Sequence, residues 1–160
     1  MRPASSFRLA LAVFAFALLA ACAGGPVRRV SEPTAQIQQL TVRADGGWTL
    51  QLRLQNYSSI PMRFDSVHLT LNAANQAAGD VVASPALDIG PESADVIDVR
   101  VQPSTGAKLA VADALASGRA VDYRLEGKIS ATPEKKSQQT FDVHHNSTLN
   151  PAPGLPGVLR

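Results

Sequence analysis

The chain contains very little cysteine, because Cys22 is the only one among its 160 residues. A single cysteine excludes an internal disulfide and the cysteine clusters that hold structural zinc. Aromatic residues are also scarce, with one tryptophan, two tyrosines and five phenylalanines. The core must therefore be built from Val, Leu, Ile and Ala, which suits a single domain on the order of 100 residues.

The chain also lacks an excess charge of either sign once its first 21 residues are set aside. The formal net charge is +2, and Arg2 and Arg8 account for it, so that 13 basic and 13 acidic side chains remain. A neutral surface with interspersed charges has no electrostatic footprint for nucleic acid. We therefore expect no nucleic-acid partner.

No catalytic motif is visible in the sequence. A nucleophile elbow of the Gly-x-Ser-x-Gly type is absent, and Gly46-Gly47 precedes neither a helix nor a P-loop lysine. We expect no catalytic residues, no cofactor and no small-molecule substrate.

The pair His144-His145 raises the alternative of a metal site or a hydrolase, with His68 and Asp142 as further candidates. Neighbouring residues of a strand point to opposite faces, and these four residues show no recognised ligand spacing. We expect no metal ligands. A deep polar pocket that held both histidines and a carboxylate would favour the enzyme alternative.

The first 21 residues are typical of a secretory signal peptide. Arg2 and Arg8 supply a positive region, and residues 9–21 form an unbroken apolar run of 13 residues. A run of about 7–15 apolar residues fits a signal peptide, whereas a transmembrane helix needs about 20. The alternative is an N-terminal transmembrane helix that continues to Gly25.

The segment Leu19-Ala20-Ala21-Cys22 resembles the bacterial lipobox, in which small residues precede a cysteine that receives diacylglycerol. The alternative is an incidental cysteine beside a conventional cleavage site. Lipid on Cys22 would attach the chain to a membrane, and two or more acyl chains anchor a protein stably. Ala23, rather than Asp, indicates the outer membrane by the Gram-negative sorting rule. We therefore expect a lipid-anchored envelope protein on the periplasmic face of the outer membrane.

After a Gly- and Pro-containing tether, predicted for residues 22–34, apolar and polar residues alternate along several segments. This alternation predicts antiparallel strands with one solvated face, in a two-sheet sandwich of about seven strands. It also places Arg124, Glu126 and Lys128 on one outer face, as solvated neighbours. The segments with this pattern are residues 37–42, 48–54, 67–71, 97–101, 121–129 and 141–143.

Residues 105–117 break the alternation and predict one short crossover helix. Ser104 or Thr105 can cap its N-terminus, and Gly118 can end it. The last segment, residues 147–160, is rich in Pro and Gly, and we expect it to be an extended, unpaired tail.

These features resemble the late-embryogenesis-abundant type 2 family, whose module is the water-stress and hypersensitive-response (WHy) domain. The resemblance rests on the strand at residues 50–56, the turn with Pro61, the strand at 64–71, the helix with Leu109 and Leu115, and residues 121–129. It implies a fibronectin III-like or immunoglobulin-like β-sandwich over residues 35–146, without catalytic activity.

The family's signature after its second strand is Asn-Pro-Asn. Asn56 matches its first residue, whereas Tyr57 and Ser58 replace the other two and the nearest proline is Pro61. A turn of this kind needs a side-chain acceptor at its start and a fixed φ further on. We therefore expect Asn56 and Pro61 to organise this turn.

The resemblance implies protection of other envelope proteins during desiccation, cold or osmotic stress. The alternative is a structural or adaptor lipoprotein that binds one dedicated envelope partner.

Overall fold

The computed structural model describes residues 28–160, which form nine strands and one helix. Two antiparallel sheets pack face to face, which confirms the predicted mostly-β sandwich. The number of strands is about two more than predicted. The strands are β1 (Thr34–Val42), β2 (Trp48–Gln55), β3 (Met62–Ala73), β4 (Gln76–Ala83), β5 (Leu87–Ile89), β6 (Ala94–Val101), β7 (Val121–Pro133), β8 (Gln139–Leu149) and β9 (Val158–Leu159); the helix is α1 (Thr105–Ala116).

One sheet has the strand order β6-β2-β1-β9, and the other has the order β4-β3-β7-β8, with β5 also pairing with β3. We call them the first and the second sheet. The predicted alternation holds along their strands: Leu50, Leu52 and Leu54 of β2 are fully buried, while the residues between them are half-buried. Facing them from the second sheet are Val67 and Leu125, which are also fully buried. The core therefore lies between the two sheets.

The helix lies between two strands, as predicted. These strands, β6 and β7, belong to different sheets, and the N-cap of the helix is Ser104. The Ser104 hydroxyl accepts a hydrogen bond from the Ala107 amide at 3.2 Å and donates one to the Ala77 carbonyl at 2.6 Å. The helix buries Val111 and other small side chains against the core, and Gly118 follows it with φ +64°. The cap thus joins α1 to β4.

The tail is not unpaired, and that prediction is wrong. Residues Val158 and Leu159 form β9 and pair with Thr41 and Leu40 of β1. Leu159 is fully buried, and Asn150 and Arg160 exchange two main-chain hydrogen bonds of 2.6 and 2.8 Å. The proline residues prevent a long strand in this segment. The burial of Leu159 beside β1 is nevertheless enough to hold a two-residue strand in place.

The strands run between two ends of the sandwich. We call one the tether end: it comprises residues 28–33 and the turns at 56–61, 90–93 and 134–138. We call the other the helix end: it comprises α1, the hairpin at 43–47 and residues 150–157. The pairing of Thr34 with Gln55, and of Met62 with Pro133, places the starts of β1 and β3 at the tether end.

Candidate functional site

The predicted lipidation site lies outside the described residues. This applies to Leu19, Ala20, Ala21 and Cys22, so their role stays a prediction. Arg28 is the first described residue and follows Cys22 by six positions.

Asn56 is fully buried at the tether end, directly after β2. Its amide nitrogen donates to the carbonyl oxygens of Ile60 at 2.9 Å, Ile89 at 3.1 Å and Gly90 at 2.8 Å. Its side-chain oxygen accepts a hydrogen bond from the Ser58 amide at 2.9 Å. One side chain therefore connects the turn after β2 to the turn after β5.

The chemistry of this position requires an amide. Only a side chain with both donors and an acceptor can satisfy three carbonyl groups and one N–H group at once. Aspartate would place a carboxylate against carbonyl oxygens, and leucine would remove all four of these hydrogen bonds. Asn56 is thus fitted to this turn by hydrogen-bond complementarity rather than by size.

Pro61 ends the same turn and is exposed. Its carbonyl oxygen accepts a hydrogen bond from the Glu134 amide at 2.9 Å, which joins this turn to the turn between β7 and β8. The fixed φ of proline restricts the chain immediately before β3 begins. The structure therefore brings Asn56 and Pro61 to opposite ends of one six-residue turn.

Two serines of this turn bind the incoming chain. The Ser58 hydroxyl accepts from the Ser31 amide at 3.0 Å and donates to the Ser31 carbonyl at 3.3 Å. The Ser59 hydroxyl accepts from the Arg29 amide at 2.8 Å, and the Ser59 amide donates to the Arg29 carbonyl at 3.0 Å. The part of the predicted tether from residue 28 onward is therefore docked on the sandwich.

Ion pairs reinforce this docking. Arg28 lies 2.9 Å from the Glu134 carboxylate, and Arg29 lies 3.6 Å from Glu92. The hydrogen bond from Arg28 lowers the pKa of Glu134, against the opposing effect of desolvation. All four side chains are solvent-exposed, so these pairs contribute to alignment more than to stability.

The outer face of β7 carries Arg124, Glu126 and Lys128, which are exposed as predicted. The Lys128 ammonium donates to the Asp142 carboxylate at 2.7 Å, and this contact lowers the pKa of Asp142. Glu126 lies 3.7 Å from Arg124. The three residues are alternate residues of one strand on a solvated sheet face, and Lys128 with Asp142 is an ordinary cross-strand pair.

The histidines do not converge. His144 pairs across the sheet with Glu126, His68 pairs with Lys128, and the His145 ring lies 5.9 Å from the ring centre of Tyr123. Within residues 28–160, no group of three or more His, Cys, Asp or Glu side chains is placed to hold a metal ion.

An open polar depression of about 610 Å³ lies on the second sheet near the helix end. Its side chains are bonded to one another: Thr148 donates to Asp122 at 2.6 Å, and Arg124 donates to Asn146 at 3.2 Å. No histidine lines it, so it differs from the pocket that would have favoured an enzyme. The lining residues are Asn72, Asn75, Asp122, Tyr123, Arg124, Asn146, Ser147 and Thr148.

The family model for late embryogenesis abundant proteins matches residues 51–146 of the chain. The matched range is more than half of the sequence and includes the Asn56 turn, α1, β7 and most of β8. The chain belongs to the late embryogenesis abundant family. The matching model is that of type 2, and membership in this family suggests a stress-related role without catalysis.

Several solved structures are similar to this family member. A solution structure described as a late embryogenesis abundant (LEA) protein is 16% identical, with 96% of this chain and 86% of that chain covered and a TM-score of 0.49. A solution structure from Arabidopsis thaliana is 14% identical, with 81% and 84% covered and a TM-score of 0.47. A crystal structure from Archaeoglobus fulgidus is 13% identical, with 78% and 98% covered and a TM-score of 0.45. No match was found among curated proteins.

Sequence reasoning missed one buried polar contact of this family member. The Tyr123 hydroxyl of β7 accepts from the Ile37 amide at 3.1 Å and donates to the Ile37 carbonyl at 3.4 Å. Burial raises the pKa of Tyr123, against the effects of its hydrogen bonds with Ile37 and Ser147. The only sequence signal was a tyrosine at an inward position, where its hydroxyl needs a partner.

Within the described part of the chain, no helix has the length and hydrophobicity that crossing a bilayer requires.

Proposed function

We propose that this family member is an exported lipoprotein of the cell envelope that protects other envelope proteins during desiccation, cold or osmotic stress. In this proposal, residues 1–21 are removed as a signal peptide and Cys22 carries the lipid. Residues 22–34 connect it to the sandwich. Its destination is the periplasmic face of the outer membrane.

The observation that supports the protective role most directly is the family match over residues 51–146. The lipid anchor is supported by the sequence Leu19-Ala20-Ala21-Cys22, whose cysteine has no other cysteine to pair with. Cys22 lies outside the described residues, and the core and the tether-end hydrogen bonds that the structure describes are made among residues 28–160. An anchor at this position would therefore leave the sandwich free to fold.

The anchor is tested with Cys22→Ser in a Gram-negative host. We expect the wild type to fractionate with membranes and to carry diacylglycerol by mass spectrometry. The variant should keep its cooperative unfolding transition but not its lipid. An unacylated Cys22 in the mature wild type would contradict the proposed anchor.

The membrane assignment is tested separately with Ala23→Asp. By the sorting rule this variant should move from the outer to the inner membrane, while its lipid and fold stay unchanged. A matched Ala23→Ser variant should stay in the outer membrane. An inner-membrane wild type would contradict the proposed location.

The protective role is tested by drying or freezing a labile enzyme with purified residues 23–160. We expect more recovered activity than with an equal mass of an inert globular protein. A deletion strain should also survive drying, cold and salt less well, and the wild-type chain should restore survival. Equal recovery with the inert protein would argue against protection.

The alternative function is an adaptor for one dedicated envelope partner, and the polar depression at the helix end favours it. A pull-down from solubilised membranes would then yield a single stoichiometric partner. Asn146→Arg, inside the depression, should abolish that capture. Thr140→Arg lies on the same outer face of β8 but outside the depression, and should not.

A further inference from the structure

The two ends of the sandwich are far apart. The longest strand, β7, has 13 residues and runs from the helix end to the tether end. At about 3.3 Å per residue, it separates the ends by roughly 40 Å. Anything attached at one end is therefore distant from the other.

The docking of residues 28–31 limits how far the sandwich can lie from Cys22. Only six residue steps separate Cys22 from Arg28, and a fully extended chain spans at most about 3.6 Å per residue, or about 22 Å. If the chain were free up to Thr34, the same estimate would give about 43 Å. The reach of the docked chain is therefore shorter than the distance between the two ends of the sandwich. The reach of a chain that was free up to Thr34 would be comparable to that distance.

The tether end presents side chains that suit a membrane surface. Tyr57 is 49% exposed beside the docked chain, and tyrosine is favoured where an apolar surface meets water. Lys135 and Lys136 are exposed in the neighbouring turn, and neither forms a salt bridge with a residue that the structure describes. The nearby carboxylates of Glu92 and Glu134 are paired with Arg29 and Arg28.

We propose that the tether end is the membrane-facing surface of the protein and contacts phospholipid headgroups, while the helix end points away from the bilayer. The inference rests on the proposed lipid anchor at Cys22. The cause of this orientation is the short reach of the chain between Cys22 and the docked residues. The polar depression then faces the aqueous compartment, where a partner protein can reach it.

The test uses residues 22–160, which contain every described element of the fold. Because Cys22 is the only cysteine, it can be coupled uniquely to a maleimide-bearing lipid. The protein is then placed on nanodiscs of phosphatidylethanolamine and phosphatidylglycerol that contain a gadolinium-chelating headgroup. Broadening of each backbone amide signal in NMR spectra reports its proximity to the surface.

We expect strong broadening of the amide signals of residues 57–59, 92–93 and 134–137. Broadening should be roughly tenfold weaker or less in α1, because the helix end lies roughly 40 Å further away. Equal broadening at both ends, or strongest broadening along one sheet face, would overturn the proposal, since the sandwich would then tumble freely or lie on its side.

A matched control lengthens the undocked segment without touching the fold. Twenty Gly and Ser residues inserted between Gly24 and Gly25 add an r.m.s. reach of about 25 Å. The difference in broadening between the ends should then largely disappear. A difference that persisted unchanged would show that the short reach is not its cause.

The coupling is chemical, so this result does not depend on lipidation in cells. A wild-type chain that cells leave unacylated would contradict the proposed function. It would not alter the measured orientation of the coupled chain.

Discussion

The two ends of the sandwich differ in their use of buried polar side chains, because the fully buried Asn56 and Ser58 both lie at the tether end. At the tether end, the side chains of Asn56, Ser58 and Ser59 bind main-chain groups of distant segments. At the helix end, the tail is held by main-chain groups that bind one another, as when the Val42 amide donates to the Gly157 carbonyl at 2.8 Å. A side-chain amide at a buried site has no substitute, whereas main-chain pairing depends little on residue type. The tether end should therefore be more sensitive to polar substitution.

The largest effect is expected for Asn56→Ala. It removes four side-chain hydrogen bonds around a buried site. A buried group left without a partner costs about 1–3 kcal/mol, so the free energy of unfolding should fall by about 3–5 kcal/mol. Urea denaturation measures the change. Asn150→Ala, at the helix end, is the matched control, because the hydrogen bonds of Asn150 are made by its main chain. Equal losses for the two variants would remove the distinction between the ends.

At the helix end, the apolar cover of β1 should matter most. Leu159→Ala removes a fully buried side chain and should cost about 2–3 kcal/mol, at the low end for leucine because a two-residue strand can relax. Leu155, in the same tail, is 45% exposed, and Leu155→Ala should change little. A Leu159→Ala variant as stable as wild type by chemical denaturation would mean that β9 contributes no stability.

The contact between Tyr123 and Ile37 joins the two sheets, and Tyr123→Phe should cost about 1–2 kcal/mol. Because the folded pKa of Tyr123 is raised, its contribution is present below the unfolded pKa of about 10 and is lost as the pH rises through the folded pKa. The variant should lack that alkaline loss. Tyr57→Phe, at an exposed site, should leave the free energy of unfolding close to that of the wild type.

A smaller effect is expected for Ser104→Ala. Loss of the N-cap should cost about 1 kcal/mol, and hydrogen exchange should quicken in the first turn of α1. Ser117→Ala, at the other end of the helix, should have less effect. Equal losses of stability for the two variants would show that the Ser104 cap does not hold α1 against β4.

The smallest effect is expected for the stability of Asp65→Asn at acidic pH. The Asp65 carboxylate accepts hydrogen bonds from Gln138 at 3.0 Å and Thr132 at 2.7 Å, which lower its pKa, as does Arg63. A lowered folded pKa contributes stability above the unfolded pKa of about 3.9 that is lost as the pH falls through the folded value. Asp65→Asn should therefore flatten the stability curve below about pH 4. Curves parallel to wild type would contradict this.

The regular part of the fold was predictable because its signals are local. Period-two alternation identified β1, β2, β3, β6, β7 and β8, and the helix was predicted at residues 105–117 against an observed α1 of Thr105–Ala116. Each depends on side chains a few residues apart, and the sequence displays these directly.

The missed strands depend on distant partners. β4 reads Gln-Ala-Ala-Gly-Asp-Val-Val-Ala, with a register shift near Gly79 that interrupts any alternation. β5 has three residues, and β9 has two in a proline-rich segment. Such strands are held by the neighbour they pair with rather than by their own pattern.

The turn around Asn56 was only half predictable. The sequence singled out Asn56 and Pro61, but the bonds to Ile89 and Gly90 cross 33 and 34 positions of the chain. No local pattern reports such a separation. The roles of Ser58 and Ser59 in holding residues 29–31 were hidden for the same reason.

The pairing of β9 with β1 has a consequence for the order of assembly. Leu40 and Thr41 are made early, yet their partners Leu159 and Val158 emerge more than a hundred residues later. A growing chain therefore exposes an incomplete first sheet until Val158 and Leu159 are available. The first sheet is therefore completed late in synthesis.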